Sequence, residues 1–304
     1  MKQLYFIFIL VVAGLATWSS NAQINQSFAF NDNSLLQHVK ELSSDTYQGR
    51  RSGTAGVTLA KNYIIAQIQA LNVLPLTAKY EQPFQFIDGR TKYSAVNILG
   101  KIVGSHTPDK HIVISAHYDH EGIKNGQIYN GADDNASGVS ALLAFAEYFK
   151  THPPKHSVIL AFFDGEELGL QGAEFFVNNP VVSLQSIVLN INLDMISRND
   201  KQELYVTGIQ THPNLKKAYA KRDKITGIHV IAGHDGTDGK QDWTLSSDHA
   251  HFHLNGIPFL YFGVEDHEDY HKPTDDFENI HPEFYKKAVH SIISIFKQID
   301  ASTF

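Results

Sequence analysis

The sequence predicts an α/β protein, a three-layer α/β/α sandwich around a mixed, mostly parallel central sheet. Three observations predict it: apolar, β-branched runs at residues 95–99, 111–115, 157–163, 187–193 and 257–262; helical patterns between them; and metal-ligand residue types directly after four of the runs. Short apolar runs of this kind read as strands covered on both faces. Strands alternating with helices place a parallel sheet between two helical layers. In such sheets the chemistry collects beyond the carboxyl ends of the strands.

Taken in chain order, residues 1–22 read as an export signal, with Lys2 in a small positive n-region, an apolar segment over 4–16 and Ser20-Asn21-Ala22 as the cleavage site. The apolar stretch falls short of the roughly 20 residues that span a bilayer, so the expected product is an exported chain starting near Gln23, with no membrane attachment after cleavage. Residues 23–304 contain no repeat, low-complexity tract or Pro- and Ser-rich linker, which predicts one domain. The composition, 42% hydrophobic and 19% charged over 304 residues, supplies ample core.

A helix is expected over 34–42, then a turn-rich loop over 49–56. In the following segment Val57, Ala60, Ile64, Ile68 and Leu71 recur at three- and four-residue steps and share one helix face. Further helices are expected over 139–149, 170–177 and 282–299.

Net charge is −7 and no basic stripe runs along the chain, which argues against nucleic acid as a partner. There is no cysteine, so neither a thiol nucleophile nor a disulfide is available, and any zinc must sit on His, Asp and Glu. Histidine is abundant at 17 residues, and imidazole is a common zinc ligand.

The strand ends carry the functional signal. Run 112–116 leads into His117-Tyr118-Asp119-His120, run 158–163 into Asp164-Gly165-Glu166-Glu167, run 188–193 into Asp194, and run 258–262 into an acidic loop ending at Tyr270-His271. One charged residue at a strand end is an ordinary solvent-facing loop residue; four such ends together point to a metal site. His117 and Asp119, two apart, share a side in extended backbone, so Asp119 is expected to accept the second ring proton of His117. By the same alternation His120 points away and reads as an ordinary surface or core histidine. The loop 130–138 precedes a helix and holds Asp133, Asp134 and Asn135; capping accounts for one of them, and a carboxylate left over can bridge two cations, with Asp134 the candidate. Adjacent Glu166 and Glu167 diverge, so one can bind metal while the other serves as general base.

At these residues the chain resembles the dinuclear zinc aminopeptidases of peptidase family 28, in the zinc exopeptidase clan. The resemblance spans essentially the whole mature chain. It runs through Gly49-Arg50, Gly53-Thr54-Ala55-Gly56, Ala60-x-x-Tyr63-Ile64, His117-Tyr118-Asp119 and Gly131-Ala132-Asp133-Asp134-Asn135-Ala136-Ser137-Gly138. It continues through residues 164–172, Asn192-Leu193-Asp194-Met195, Ser247-Asp248-His249 and residues 270–276. The resemblance implies a zinc metallopeptidase with two zinc ions (Zn2+) per chain: one held by His117 and Asp194, the other by Glu167 and His271, with Asp134 bridging both. It implies Glu166 as general base, Asp119 as the partner of His117, and peptide substrates with a free N-terminus. It also selects Asp134 over Asp133, which spacing alone leaves open.

Departures matter. Better-known secreted members can carry a disulfide near the substrate pocket; here the corresponding loop, residues 233–243, is Gly- and Asp-rich and is expected to rim the pocket. Asp235, Asp238 and Asp242 there read as a solvated loop in preference to a calcium site. Residues 73–95 leave little room for the additional domain of some relatives. Two other readings stand beside the peptidase. A glutaminyl cyclase of related fold needs one zinc on Asp134, Glu167 and His271; a non-catalytic binding ectodomain needs no intact ligand set, yet all five ligand positions and the base are present.

Overall fold

A computed structural model describes residues 30–302; the expected signal over 1–22 lies outside them. The chain opens with helix α1 (Asp32–Leu42), started by the Asn31 side chain accepting from the backbone N–H groups of Asn33 and Ser34 at 2.9 and 3.3 Å. Helix α2 (Ala55–Ala70) follows the predicted loop, with Thr54 as its N-cap. Then come β1 (Leu74–Pro75), the hairpin β2 (Glu81–Asp88) and β3 (Thr91–Ile102), β4 (Thr107–His117), and a small hairpin β5 (Gly122–Lys124) and β6 (Gln127–Tyr129). The remaining elements are α3 (Gly138–Phe149), β7 (His156–Phe163), α4 (Gln171–Asn178), β8 (Ile187–Leu193), β9 (Glu203–Thr207), α5 (Pro213–Lys221), β10 (His229–Ala232), α6 (His249–Leu254), β11 (Phe259–Gly263) and α7 (Pro282–Asp300).

The main sheet has the order β1-β3-β7-β4-β8-β11-β9-β10, with β2 paired to β3. Its centre, β7-β4-β8-β11, is parallel; β3 runs antiparallel to β7, and β9 antiparallel to β11. The predicted mixed sheet is thus parallel at its centre, with antiparallel pairings where β3 meets β7 and β9 meets β11 and a parallel β9–β10 pair at one edge. Side-chain alternation divides the core. Ile98, Ile112, Ile114, Val158 and Leu160 face a layer built from α1, α2, α3, α5 and α7, while Leu99, Val113, Ile159, Ala161 and Phe163 face α4 and α6. Every residue of β7 is buried, the pattern expected of a strand covered on both faces, and each large apolar side chain there contributes about 1.5–3 kcal/mol.

The five predicted strands and the helices over 34–42, 139–149, 170–177 and 282–299 appear within a few residues of their expected bounds. Strands β1, β2, β5, β6, β9 and β10, the first half of β3, and helices α5 and α6 carry no such signal in the sequence. Residues 73–95, read only as a connection, hold β1, a 3-10 turn, β2 and part of β3. Strand β2 shows alternate burial and lies on one side of the sheet's edge, so it lacks the continuous apolar run by which the central strands were recognised.

Two histidines predict acid sensitivity, His38 part-buried beside Tyr63 and His249 fully buried behind Trp243 and Tyr261. Burial pushes His38, whose Nδ1 lies 2.7 Å from the Tyr63 hydroxyl, down to about 4, and His249 down to about 3. In the unfolded chain each titrates near 6.5, so below that pH the unfolded state binds more protons and stability is lost as pH falls, towards about 4 for His38 and about 3 for His249. One such group contributes a slope of at most about 1.4 kcal/mol per pH unit. Urea unfolding of chelator-treated protein at several values between pH 7 and pH 4.5 is expected to show His38→Gln losing less stability on acidification than wild type. Parallel losses would remove His38 as a cause.

Candidate metal centre

The carboxyl ends of β4, β7, β8 and β11 open on one side of the sheet, and their following residues meet there. His117, the last residue of β4, places Nε2 3.2 Å from Asp134 Oδ1 and 3.2 Å from Asp194 Oδ1. The other oxygen of Asp134 faces a second imidazole: Oδ2 lies 3.1 Å from His271 Nε2, which is also 3.3 Å from Glu167 Oε2. One carboxylate therefore has each oxygen directed at a different histidine, each histidine having a further carboxylate of its own. Glu166 Oε2 stands farther from His117 Nε2, at 4.0 Å.

Long-range polar contacts hold this arrangement. Asp134 lies in the loop before α3, where its backbone N–H and that of Asp133 donate to the two carboxylate oxygens of Asp275 at 3.0 and 2.9 Å. Arg50, fully buried, donates to the carbonyls of Tyr118, Asn130 and Gly131 at 2.9, 2.6 and 2.9 Å and so ties the end of β4 to the Asp134 loop. It also donates to Leu42 O at 2.6 Å. Gly131 sits at φ +58, where a Cβ would meet Asp134 O at 2.0 Å and His120 Cδ2 at 2.5 Å, so only glycine permits this close approach.

The neighbours of Asp134 turn elsewhere. Asp133 Oδ1 accepts from the Ser197 backbone and hydroxyl, both at 2.7 Å, and its Oδ2 lies 3.0 Å from His267 Nε2. Asn135 Oδ1 accepts from Gly138 N at 2.9 Å, which makes it the residue that caps the helix start.

Two expectations are corrected. The Asp119 carboxylate is 3.8 Å from His117 Nδ1, which instead donates to the Asp119 carbonyl at 3.1 Å. Its Oδ1 and Oδ2 accept from the backbone N–H groups of Glu166 and Glu167 at 3.1 and 3.4 Å, and Ser52 donates to Oδ2 at 3.3 Å. Asp119 therefore positions the turn that carries the two glutamates. His120 turns into the cluster, its Nδ1 2.6 Å from Glu167 Oε1 and 3.7 Å from Asp134 Oδ2. The reason is common to both: β4 ends at His117, so strand alternation does not extend to residues 119 and 120.

Electrostatics follow from the crowding of buried carboxylates. Burial pushes Glu166 and Asp119 well above the ordinary carboxylate range, Glu166 with added repulsion from Asp194 and Asp248. Burial acts the same way on Asp134, but His120, His117 and His271 outweigh it and hold that group well below the ordinary value. Burial alone would lower His271; Asp134 and Glu167 instead raise it to about 9. Asp248, quoted in the family motif but given no role from sequence, is fully buried, has no hydrogen-bond partner for either oxygen and is pushed up to about 7 by burial. Its position at the head of the short α6 carried no strand-end signal.

The donor set fits zinc: imidazoles and carboxylates only, with a carboxylate between two imidazoles and buried polar atoms, Glu167 Oε1 and both His120 nitrogens, that lack hydrogen-bond partners. A cleft of about 270 Å³ opens over these groups, lined also by Met195, Gln241, Trp243, Tyr261, Asp266 and Tyr270. Gln241 and Trp243 bring the loop 233–243 to the rim, where the His234 ring stacks on Trp243 at 3.5 Å. Asp235, Asp238 and Asp242 accept from the backbone N–H groups of Thr237, His234 and Thr244.

The profile of peptidase family M28 matches residues 97–295. Aminopeptidase YwaD of Bacillus subtilis is 32% identical over 209 residues, 65% of this chain and 43% of that protein. A vacuolar membrane protease of Candida glabrata is 33% identical over 131 residues, 43% of this chain and 13% of its own length. The chain thus spans less than half the length of these curated relatives. Among solved structures, BSAP, a zinc aminopeptidase from Bacillus subtilis, is similar with a TM-score of 0.70 at 16% identity, over 90% of this chain and 97% of that one. Porphyromonas gingivalis glutaminyl cyclase has a TM-score of 0.74 at 19% identity, over 89% and 99% of the two chains. These likenesses establish the fold and leave the choice of activity to the side chains.

Proposed function

The chain belongs to peptidase family M28, and from that premise we propose that it is an exported aminopeptidase that uses two zinc ions to remove N-terminal residues from peptides. The observation that carries the proposal is the placement of Asp134, with Oδ1 towards His117 and Oδ2 towards His271. His117 and Asp194 would hold one zinc, Glu167 and His271 the other, and Asp134 both. Bound there, the pair would polarise a scissile carbonyl and acidify an attacking water. Glu166 stands off from His117 by 4.0 Å, against 3.2 Å for Asp134 and Asp194, which suits a group that moves a proton instead of binding metal. Its carboxylate takes the water's proton and returns it to the leaving amine.

The acidic lining, Asp266 included, favours a substrate that brings a positive charge, as a free α-amino group does. Export follows from the signal read over 1–22; among the described residues no helix is long and apolar enough to cross a membrane. A cyclase using one zinc on Asp134, Glu167 and His271 leaves the close His117–Asp194 pair without a task.

A panel of aminoacyl anilides, N-acetylated counterparts and a peptide with N-terminal glutamine, each with and without chelator, tests the reading. The expected result is cleavage of free-amine substrates alone, lost with chelator and restored by zinc. Equal cleavage of the acetylated substrates, or ring closure of the glutamine peptide without cleavage of the anilides, would overturn it.

A further inference from the structure

We infer that His120 is a third imidazole of the metal centre, binding the zinc shared by Asp134, Glu167 and His271. The inference rests on the two-zinc reading and adds a ligand to it. Its ring is completely buried, an expensive place for a polar group without a partner, and neither ring nitrogen has a hydrogen bond. Nδ1 nevertheless stands 2.6 Å from Glu167 Oε1 and 3.7 Å from Asp134 Oδ2, close to both yet off a hydrogen-bonding direction. Glu167 Oε1 is likewise buried and unpaired. One cation among these three atoms satisfies them together, and imidazole with two carboxylates is a donor set that zinc accepts.

The ring is also held in place. Its backbone N–H donates to the Arg50 carbonyl at 3.2 Å, and Gly131, on the loop that carries Asp134, lets the loop backbone close against the ring. The His271 ring stands edge-on to His120, with centroids 5.9 Å apart, across the same pair of carboxylates. His271 is the looser of the two, its side chain 35% exposed at the mouth of the cleft. A zinc with two imidazoles here and one at His117 makes the sites unequal: the one at His120 fills first and releases its ion last.

The test is X-ray absorption at the zinc edge on the wild-type protein, paired with zinc titration against a chromophoric chelator for wild type, His120→Asn, His120→Ala and His271→Ala. The expected spectrum shows three imidazoles shared between two zincs. His120→Asn and His120→Ala are expected to weaken one site about 10–100-fold, as His271→Ala does, and to leave the other within about threefold. Metal-free melting curves identify any variant that fails to fold, and the wild-type spectrum decides without substitution. Only two imidazoles per pair of zincs, or folded His120 variants with both affinities unchanged, would overturn the assignment. A wild-type chain that takes up one zinc refutes the two-zinc reading instead, and two imidazoles on that single ion, falling to one in folded His120→Ala, would still place His120 on it.

Discussion

Glu166→Gln is expected to reduce kcat on an aminoacyl anilide by about 10²–10⁴-fold, or about 3–5 kcal/mol of barrier, while zinc content stays at the wild-type level. Glutamine keeps the size of the side chain and cannot take up a proton, so the substitution removes proton transfer and little else. Glu166 stands farther from His117 Nε2, at 4.0 Å, than Asp134 and Asp194 do, each at 3.2 Å. Burial disfavours a charge on Glu166 in the metal-free protein and glutamine carries none, so the metal-free fold is expected to be no less stable. Elemental analysis and initial rates on the same preparation check the pair of expectations. A variant within tenfold of wild-type kcat removes Glu166 from its role; one that has lost zinc makes it a ligand.

Asp134→Ala is expected to cost both metals and at least about 100-fold in activity, whereas Asp194→Ala costs one. The difference comes from the two oxygens of Asp134, which face His117 and His271 separately, while Asp194 contacts His117 alone among the imidazoles. In the metal-free protein the same carboxylate is the counter-charge to three imidazoles, His120, His117 and His271. Its removal leaves them in a buried pocket with less negative charge, so a lower melting temperature of the metal-free variant accompanies the metal loss. Zinc per chain after gel filtration, measured side by side for the two variants, is the check. Equal zinc loss in both would end the bridging role.

How far the sequence could be read follows from which signals are local. The central strands announce themselves because burial on both faces demands an unbroken apolar run, and the residue following such a run must emerge at the carboxyl edge of the sheet. His117, Asp164, Asp194 and the loop to His271 were therefore legible as one cluster. Strand β2 and the start of β3 were not, since β2 buries only alternate residues and the start of β3 is largely exposed, and β9 and β10 were not because they are short runs of five and four residues. Asp133 and Asp134 could not be told apart by spacing: both precede the same helix, and only the contacts of Asp133 with Ser197 and His267 show that it faces away. His120 was misread because the alternation of β4 stops at His117.

The sequence by itself determined the layered α/β architecture, the absence of any thiol ligand and the residue types available to a metal, because hydrophobic periodicity and composition are local properties of the chain. Tertiary structure alone decided which oxygen meets which imidazole. Those directions are set by Arg50 and Asp275, which reach residues 68 to 142 positions away to fix the loops that carry His120 and Asp134. Hydrogen bonds over such separations leave no period in the sequence, and the aim of a side chain beyond a strand end depends on them.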